Sequence, residues 1–462
     1  MCASWPNGCS DGHLRHQERA GDRARARAAR CDLAWFEGLA RRYGAQEALT
    51  RQVLAAAEAA NDHESTLVAL SSLFAAAAVR GDFDSAWSAS RRLVETAKAC
   101  GNPSRVAFGQ AIQAQNLALA GELDDARRMV DDARAVEYAS DDIVAEAEIV
   151  VAWEAGEFLT VARDGPRVAA RSGPTQQAWL LTYVAMAAAE VGDLAAAHIH
   201  LETAGRVLAD HRFWIMSDHY DRACGRVAWV AGDGDTSVER LGRAAAEFLG
   251  AGALPYASYA LADLAEAASA ALLPKVAADA ARAAEDVARQ LGRPQFAALA
   301  ALAGAAAALA VGHDDEGAKA ADEAAHLFLG SGYQALGARC LALLGRCLVT
   351  QDRGAAIERL REAVEVFDVR GCAWRRDQVL ETLRRLGKPG LKAVAASTGP
   401  GSLTGREREI TALAVQGMSA RAIGELLHIG ERTVESHLAR VYLKFGVHSR
   451  QQLAHAIALH AR

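Results

Sequence analysis

The side chains best suited to reading another molecule lie near the C-terminus. From residue 432 the chain runs RTVESHLARVYLKF, in which Val434, Leu438, Val441 and Phe445 recur at the spacing of one helix face. A helix that buries this row leaves Glu435, Ser436, Ala439 and Arg440 on its other side, with Arg432 and Thr433 in its first turn. Arginine offers paired N–H donors to a guanine edge or a phosphate. Glutamate accepts from a cytosine amine but cannot neutralise a phosphate. The unpaired N–H groups of the first turn also favour phosphate. Lys444 and Arg432 are the better phosphate ligands, and Arg421 can help from the helix before. This is the chemistry of a helix lying in the major groove of double-stranded DNA: exposed side chains read bases and phosphate contacts set the orientation.

Machinery for making or breaking bonds is not evident. GxxxxGK[ST], HExxH and GxSxG are absent, and no GxGxxG follows a strand. The reading is of a protein that is not an enzyme, with no cofactor and no metal. None of the eight cysteines has CxxC spacing, so they read as small apolar residues of helix interiors. His211, Asp218 and His219 can be drawn as a metal set, but a surface helix accounts for them. The surrounding segment 211–229, rich in aromatics and histidine, is the best groove lining in the long body of the chain.

Several short elements, running from residue 403, must hold this helix in place. In LTGREREITALAVQ, Thr404 and Glu407 have capping-box spacing, and Ile410, Leu413 and Ala414 form an apolar stripe. Gly417 stops that helix, and Ser419 caps the next, ARAIGELL, where Ile423 and Leu427 point inward and Gly424 permits a close crossing. HIG at 428–430 is a turn, and the third helix runs from near Glu431 towards Phe445. Ser449 and Gln452 cap a fourth helix whose face of Leu453, Ala456, Ile457 and His460 supports the domain or pairs two copies. Residues 403–462 carry eight Arg and Lys against five Asp and Glu, or +3, which leaves −9 of the chain's −6 to the rest.

Ahead of these elements lies a long Ala-rich body. A glycine followed by an acid recurs between apolar helices at Gly81-Asp82, Gly121-Glu122, Gly156-Glu157, Gly192-Asp193 and Gly232-Asp233, in steps of 40, 35, 36 and 40 residues. Leu273-Pro274 is a weaker turn, and Gly312-His313 and Asp352-Arg353 continue the series. Such periods belong to stacked helical hairpins, none of which buries its apolar face alone. Glycine ends one helix in the left-handed conformation, and the acid suits the N-terminus of the next. Leu123, Ala126 and Met129, and in another hairpin Leu194, Ala197, Ile199 and Leu201, supply the apolar faces. The scattered tryptophans read as packing residues.

Domain boundaries follow from punctuation. Residues 1–32 form a leader with six arginines against three acids in 11–30, 33–386 the helical array, 387–402 a linker between two Pro-Gly pairs, and 403–462 the terminal domain. No secretory signal is visible, and no 18-residue apolar stretch stands outside the amphipathic patterns; the expectation is a cytoplasmic protein with no membrane partner.

The array resembles tetratricopeptide-type repeats, with less regular periods. The stretch LTGREREITALAVQGMSARAIGELLHIGERTVESHLARVYLKFGVHSR, residues 403–450, closely resembles the LuxR-type regulators through LTxRE, GxS, IxxxL, TVxxH, KxGV and SR. The fold expected is all-α: a tetratricopeptide-like helical repeat array followed by a four-helix LuxR-type helix-turn-helix domain. The resemblance implies a DNA-binding transcription regulator, more an activator than a repressor, that pairs as a homodimer on two half-sites. It also implies RNA polymerase or another protein, and a small-molecule effector, as partners of the body. The alternative is a protein-interaction scaffold whose terminal domain has lost useful DNA affinity. Where the family often has lysine after Thr-Val, this chain has Glu435, which points to a different base preference. Gly430 replaces the common serine cap at small cost. His437 reads either as a histidine hydrogen-bonded in the core or as one near a phosphate. The layout also resembles the C-terminal part of large ATP-binding LuxR regulators. They carry an ATPase ahead of the array, a motif absent here, so the chain is either a shortened relative or lacks an upstream region.

Overall fold

The computed structural model describes residues 23–137, 141–211, 217–387, 405–415, 417–427, 434, 438, 441–442, 447 and 452–453. Among them helices are linked by short turns and no strand occurs, so the all-α expectation holds. The chain divides into two compact units, Met1–Leu383 and Arg384–Arg462.

Among the described residues of the first unit, nineteen helices run from Arg23–Leu39 to Ala373–Arg385, and consecutive helices from the first to Arg353–Arg370 pack on one another. The glycine turns work as the sequence implies. Gly81 and Gly121 cap their helices at φ of +81° and +100°, and the Asp82 and Asp233 carboxylates accept from the N–H of Ser85 and Thr236 at 3.1 Å. Glu122 and Glu157 make no such cap bond, since glutamate is one methylene too long for that geometry. A second glycine series, Gly101, Gly252, Gly292, Gly332 and Gly371, also has positive φ and returns the chain from one hairpin to the next. At the 40-residue position between Gly232 and Gly312 stands Leu272, held at φ +59° without glycine's freedom.

Helices facing one side only alternate with helices enclosed by neighbours. Pro274–Leu291 buries a stripe of alanines with Val287, whereas Pro294–Val311 carries no charge and buries Phe296, Leu299 and Leu302. The latter is long and apolar enough to cross a membrane by length and composition, contrary to the expectation that no such stretch exists; enclosure within the array accounts for its composition. Two apolar assignments also change. Val130 and Ala133, with Leu123 and Ala126, form the buried face that included Met129 by sequence, and Ile199 is 60% exposed because its helix buries Ala197, Leu201 and Ala204 instead.

The array winds back against itself. The turns at Gly81, Gly121, Gly156 and Gly192 meet the helix starts at Pro255, Gln295, Ala335 and Ala373, offsets of 174, 174, 179 and 181 residues. Arg41, in the first turn, likewise donates to Ser217 Oγ at 2.8 Å. Along this seam the Gln295 amide donates to the Leu119 carbonyl at 3.0 Å and the Tyr333 hydroxyl to the Ala118 carbonyl. Phe83 stacks on Phe296 with centroids 5.8 Å apart. A β-carbon at Gly81 would collide with Leu291 and Pro255, so glycine serves here for close approach as well as for its backbone angle.

Candidate nucleic-acid interface

The second unit is built as its apolar spacing requires. Its first two helices are Gly405–Val415 and Ala420–Leu427. Gly417, at φ +91°, ends the first: its N–H donates to the Ala414 carbonyl at 3.0 Å and that of Met418 to Leu413 at 3.3 Å. Ser419 Oγ then accepts from the Ala422 N–H at 3.2 Å, the predicted N-cap of the second helix. Ile410, Ala414, Ile423, Val434 and Leu438 form one buried cluster, flanked by Leu413, Met418, Ala420 and Tyr442. Val441 and Leu453 form a second with Tyr442 and Val447.

Val434, Leu438 and Val441 are all helical and all buried, so the row inferred from spacing is the core-facing row. Gly424 is buried, while Leu426 beside it is 55% exposed. Among the sequence-predicted contact residues, Arg421 is described and is exposed on Ala420–Leu427. Arg432, Thr433, Glu435, Ser436, Ala439, Arg440 and Lys444 lie outside the described residues, as do Thr404, Gly430, His437, Phe445, Ser449, Ala456, Ile457 and His460 and the side chains of Glu407 and Leu427.

The array holds a feature the sequence reading missed. Four arginines and four carboxylates from helices far apart in the chain meet in its interior. Asp263, fully buried, accepts from Arg222 Nε at 3.0 Å and Arg339 Nη2 at 2.8 Å, with Arg226 Nη1 at 3.6 Å. Arg339 Nε also donates to Glu266 at 3.0 Å, and Arg375 Nε to Glu190 at 3.1 Å across the seam. The cations also lie over rings: Arg226 over Trp153, Arg222 over Tyr259 and Arg375 over Trp229 and Trp374. Burial alone would raise every carboxyl here. The surrounding guanidiniums outweigh it for Asp263 and Glu190, which stay below the ordinary range. Glu154 is as deeply buried, but its nearest partner is the Tyr259 hydroxyl at 2.6 Å, and burial pushes it up to about 7. Individual arginines and acids carry no sign of this arrangement in sequence: stacking of nearby repeats brings Arg222 and Arg339 to Asp263 and Arg226 to Glu190, and the inter-turn offset brings Arg375 to Glu190.

The 211–229 segment is also corrected. Its described part, Ser217–Val230, is not a surface helix: Asp218, Asp221, Arg222 and Arg226 are buried in it. Asp218 pairs with Arg41 at 3.4 Å, and His219 stands edge-on to Phe248 and Tyr256, its imidazole held neutral by burial with a pKa of about 3. No group of three metal-ligating side chains occurs among the described residues. Cys340, Cys347 and Cys372 are buried as expected, but Cys100 is exposed.

Two helices joined through a glycine stop and a serine N-cap, with the buried row Val434, Leu438 and Val441 following them, define a helix-turn-helix domain. Residues 401–457 match the family model of the bacterial regulatory proteins, luxR family, so the C-terminal segment is a LuxR-type helix-turn-helix domain. The transcriptional activator protein BjaR1 of Bradyrhizobium diazoefficiens is 52% identical over 60 residues, 13% of this chain and 24% of that protein. A Mycobacterium bovis protein, Mb0914c, named as an HTH-type transcriptional regulator, is 38% identical over 104 residues, 21% of this chain and 12% of that one. The chain therefore spans about an eighth to a quarter of the length of these relatives. A Rap protein solved with Competence and Sporulation Factor is similar at 14% identity and a TM-score of 0.45, covering 76% of this chain and 99% of that one.

Proposed function

We propose that this chain is a DNA-binding transcription regulator, cytoplasmic and acting as an activator, whose helical array receives a protein or small-molecule signal. The observation that carries the reading is the burial of Val434, Leu438 and Val441 on one side of the third helix of a LuxR-type domain. Helical periodicity then assigns Ser436 and Ala439 to the opposite side, with Glu435 and Arg440 flanking them. In this reading those four meet base edges in the major groove, Arg440 by paired donors and Glu435 by accepting from a cytosine amine. Arg432, Thr433 and Lys444 hold phosphates, and exposed Arg421 adds a phosphate contact from the second helix.

The linker at 387–402 would let two heads occupy adjacent half-sites as a homodimer, while the array governs pairing or contact with RNA polymerase or another partner. Random-site selection with the purified full chain tests the proposal. It is expected to return a paired sequence, and Arg440→Ala is expected to weaken binding to the selected site by about tenfold to a hundredfold, the cost of one bidentate base contact. Failure to enrich any sequence, or equal affinity of Arg440→Ala for the site, would overturn the assignment.

A further inference from the structure

The array covers one of its own edges and leaves the equivalent edge open. Each turn of its first half, at Gly81, Gly121, Gly156 and Gly192, is met by a helix start from about 175 residues further on. The next turns in the series are not. Among the described residues, a β-carbon placed at Gly232 or Gly312 would find no atom within 4 Å, and the last helix of the array ends at Arg385, before that offset is reached. Between those glycines, Leu272 is 81% exposed, with Val311 51% exposed at the next turn and Leu273, also exposed, beside it. Leu272 also bears a left-handed backbone that glycine would adopt without strain. A strained backbone and an apolar side chain turned to solvent are both unfavourable in the isolated chain.

The opposite edge is open as well. The helix starts that correspond to Pro255 and Gln295 in the first half include those after Gly101 and Gly173. There Ser104 and Pro174 are exposed, and a β-carbon at Gly101 would meet nothing among the described residues. Pro103 and Pro174 open their helices as Pro294 does in the mated half. Each open edge therefore has the form of an edge that is already mated elsewhere in the same chain.

We infer that the open turn edge around Leu272 docks the open helix-start edge of a second copy of this chain, continuing the internal seam from one molecule to the next. The contact is head-to-tail, so each copy keeps one edge available and association does not close at a dimer. The pairing of DNA-binding heads proposed above is a separate, self-matching contact and does not depend on it.

The test is sedimentation velocity of the full chain without DNA, over a hundredfold range of concentration. The wild type is expected to grow past the dimer as concentration rises. Leu272→Asp and Leu272→Gly should each raise the concentration needed for association at least tenfold, with circular dichroism unchanged because the side chain is exposed. Ser104→Trp should do the same from the other edge. An equimolar mixture of Leu272→Asp and Ser104→Trp retains one intact pair of edges and should give a species of two chains. Monomer throughout, a dimer indifferent to both Leu272 variants, or a mixture no more associated than its components would overturn the inference.

Discussion

Replacing Asp263 with asparagine removes the charge at the centre of the buried cluster while keeping its shape. Asp263 faces Arg222, Arg226 and Arg339, and all four are almost wholly out of water. Asparagine still accepts hydrogen bonds, but three guanidiniums lose a shared counter-charge in a medium that screens them poorly. Removing one member of a buried pair costs about 3–5 kcal/mol, because the remaining charge is left uncompensated. An unfolding entropy of about 2.1 cal/mol/K per residue over about 360 residues gives roughly 0.76 kcal/mol/K. The expected fall in Tm is therefore about 4–7 °C. Thermal unfolding followed by far-ultraviolet circular dichroism reads it at pH 7, and the fall should persist in about 0.5 M salt, since a buried cluster is little screened. A loss of less than 1 °C, or one abolished by salt, would show that the cluster is solvated and that the seam does not depend on it.

Glu154 gives a pH signature of opposite sign to its neighbours. Burial raises it from 4.5 to about 7, so the folded state holds a proton that the unfolded state releases, and stability falls as pH rises between those values by up to about 3 kcal/mol. Glu154→Gln, which can still accept from Tyr259, should raise Tm at pH 8 and change it little at pH 4; an equal shift at both values would contradict the assignment. Asp263 and Glu190 are depressed instead, so their contribution is present above the ordinary carboxylate range and is lost as pH falls through their folded values, a loss that Asp263→Asn should reduce. Leu272→Gly relieves left-handed strain of about 1–2 kcal/mol against a glycine entropy cost of about 0.5–1, so Tm should stay level or rise slightly, and a fall of several degrees would argue against strain at that turn. Val434→Asp places a charge at a fully buried position and should unfold the terminal domain while leaving the array's melting transition in place.

The period of the array was legible because each turn needs a residue that tolerates positive φ and a short cap after it, and Gly81-Asp82 and Gly232-Asp233 supply both. The core of the terminal domain was legible because Val434, Leu438 and Val441 keep helical spacing over two turns. The seam was not. It joins residues about 175 positions apart, and nothing local distinguishes Arg375, paired with Glu190, from an arginine in solvent. Ser217–Val230 suits a surface helix by its polar residues until Arg41 from across the seam and Asp263 and Glu190 from neighbouring repeats are brought against it. Leu272 is the reverse case, an apolar residue where the repeat calls for glycine, and its meaning rests on a backbone angle that sequence does not display.

The central claim is that residues 403–462 hold the chain on DNA through charged contacts. The most direct measurement is the affinity of the full chain for its selected duplex at several salt concentrations, with and without that segment. The expected result is a linear fall of log K with log salt, with a slope near −0.9 per phosphate neutralised and loss of binding on removing the segment. Binding that ignores salt, or survives the deletion, would contradict it.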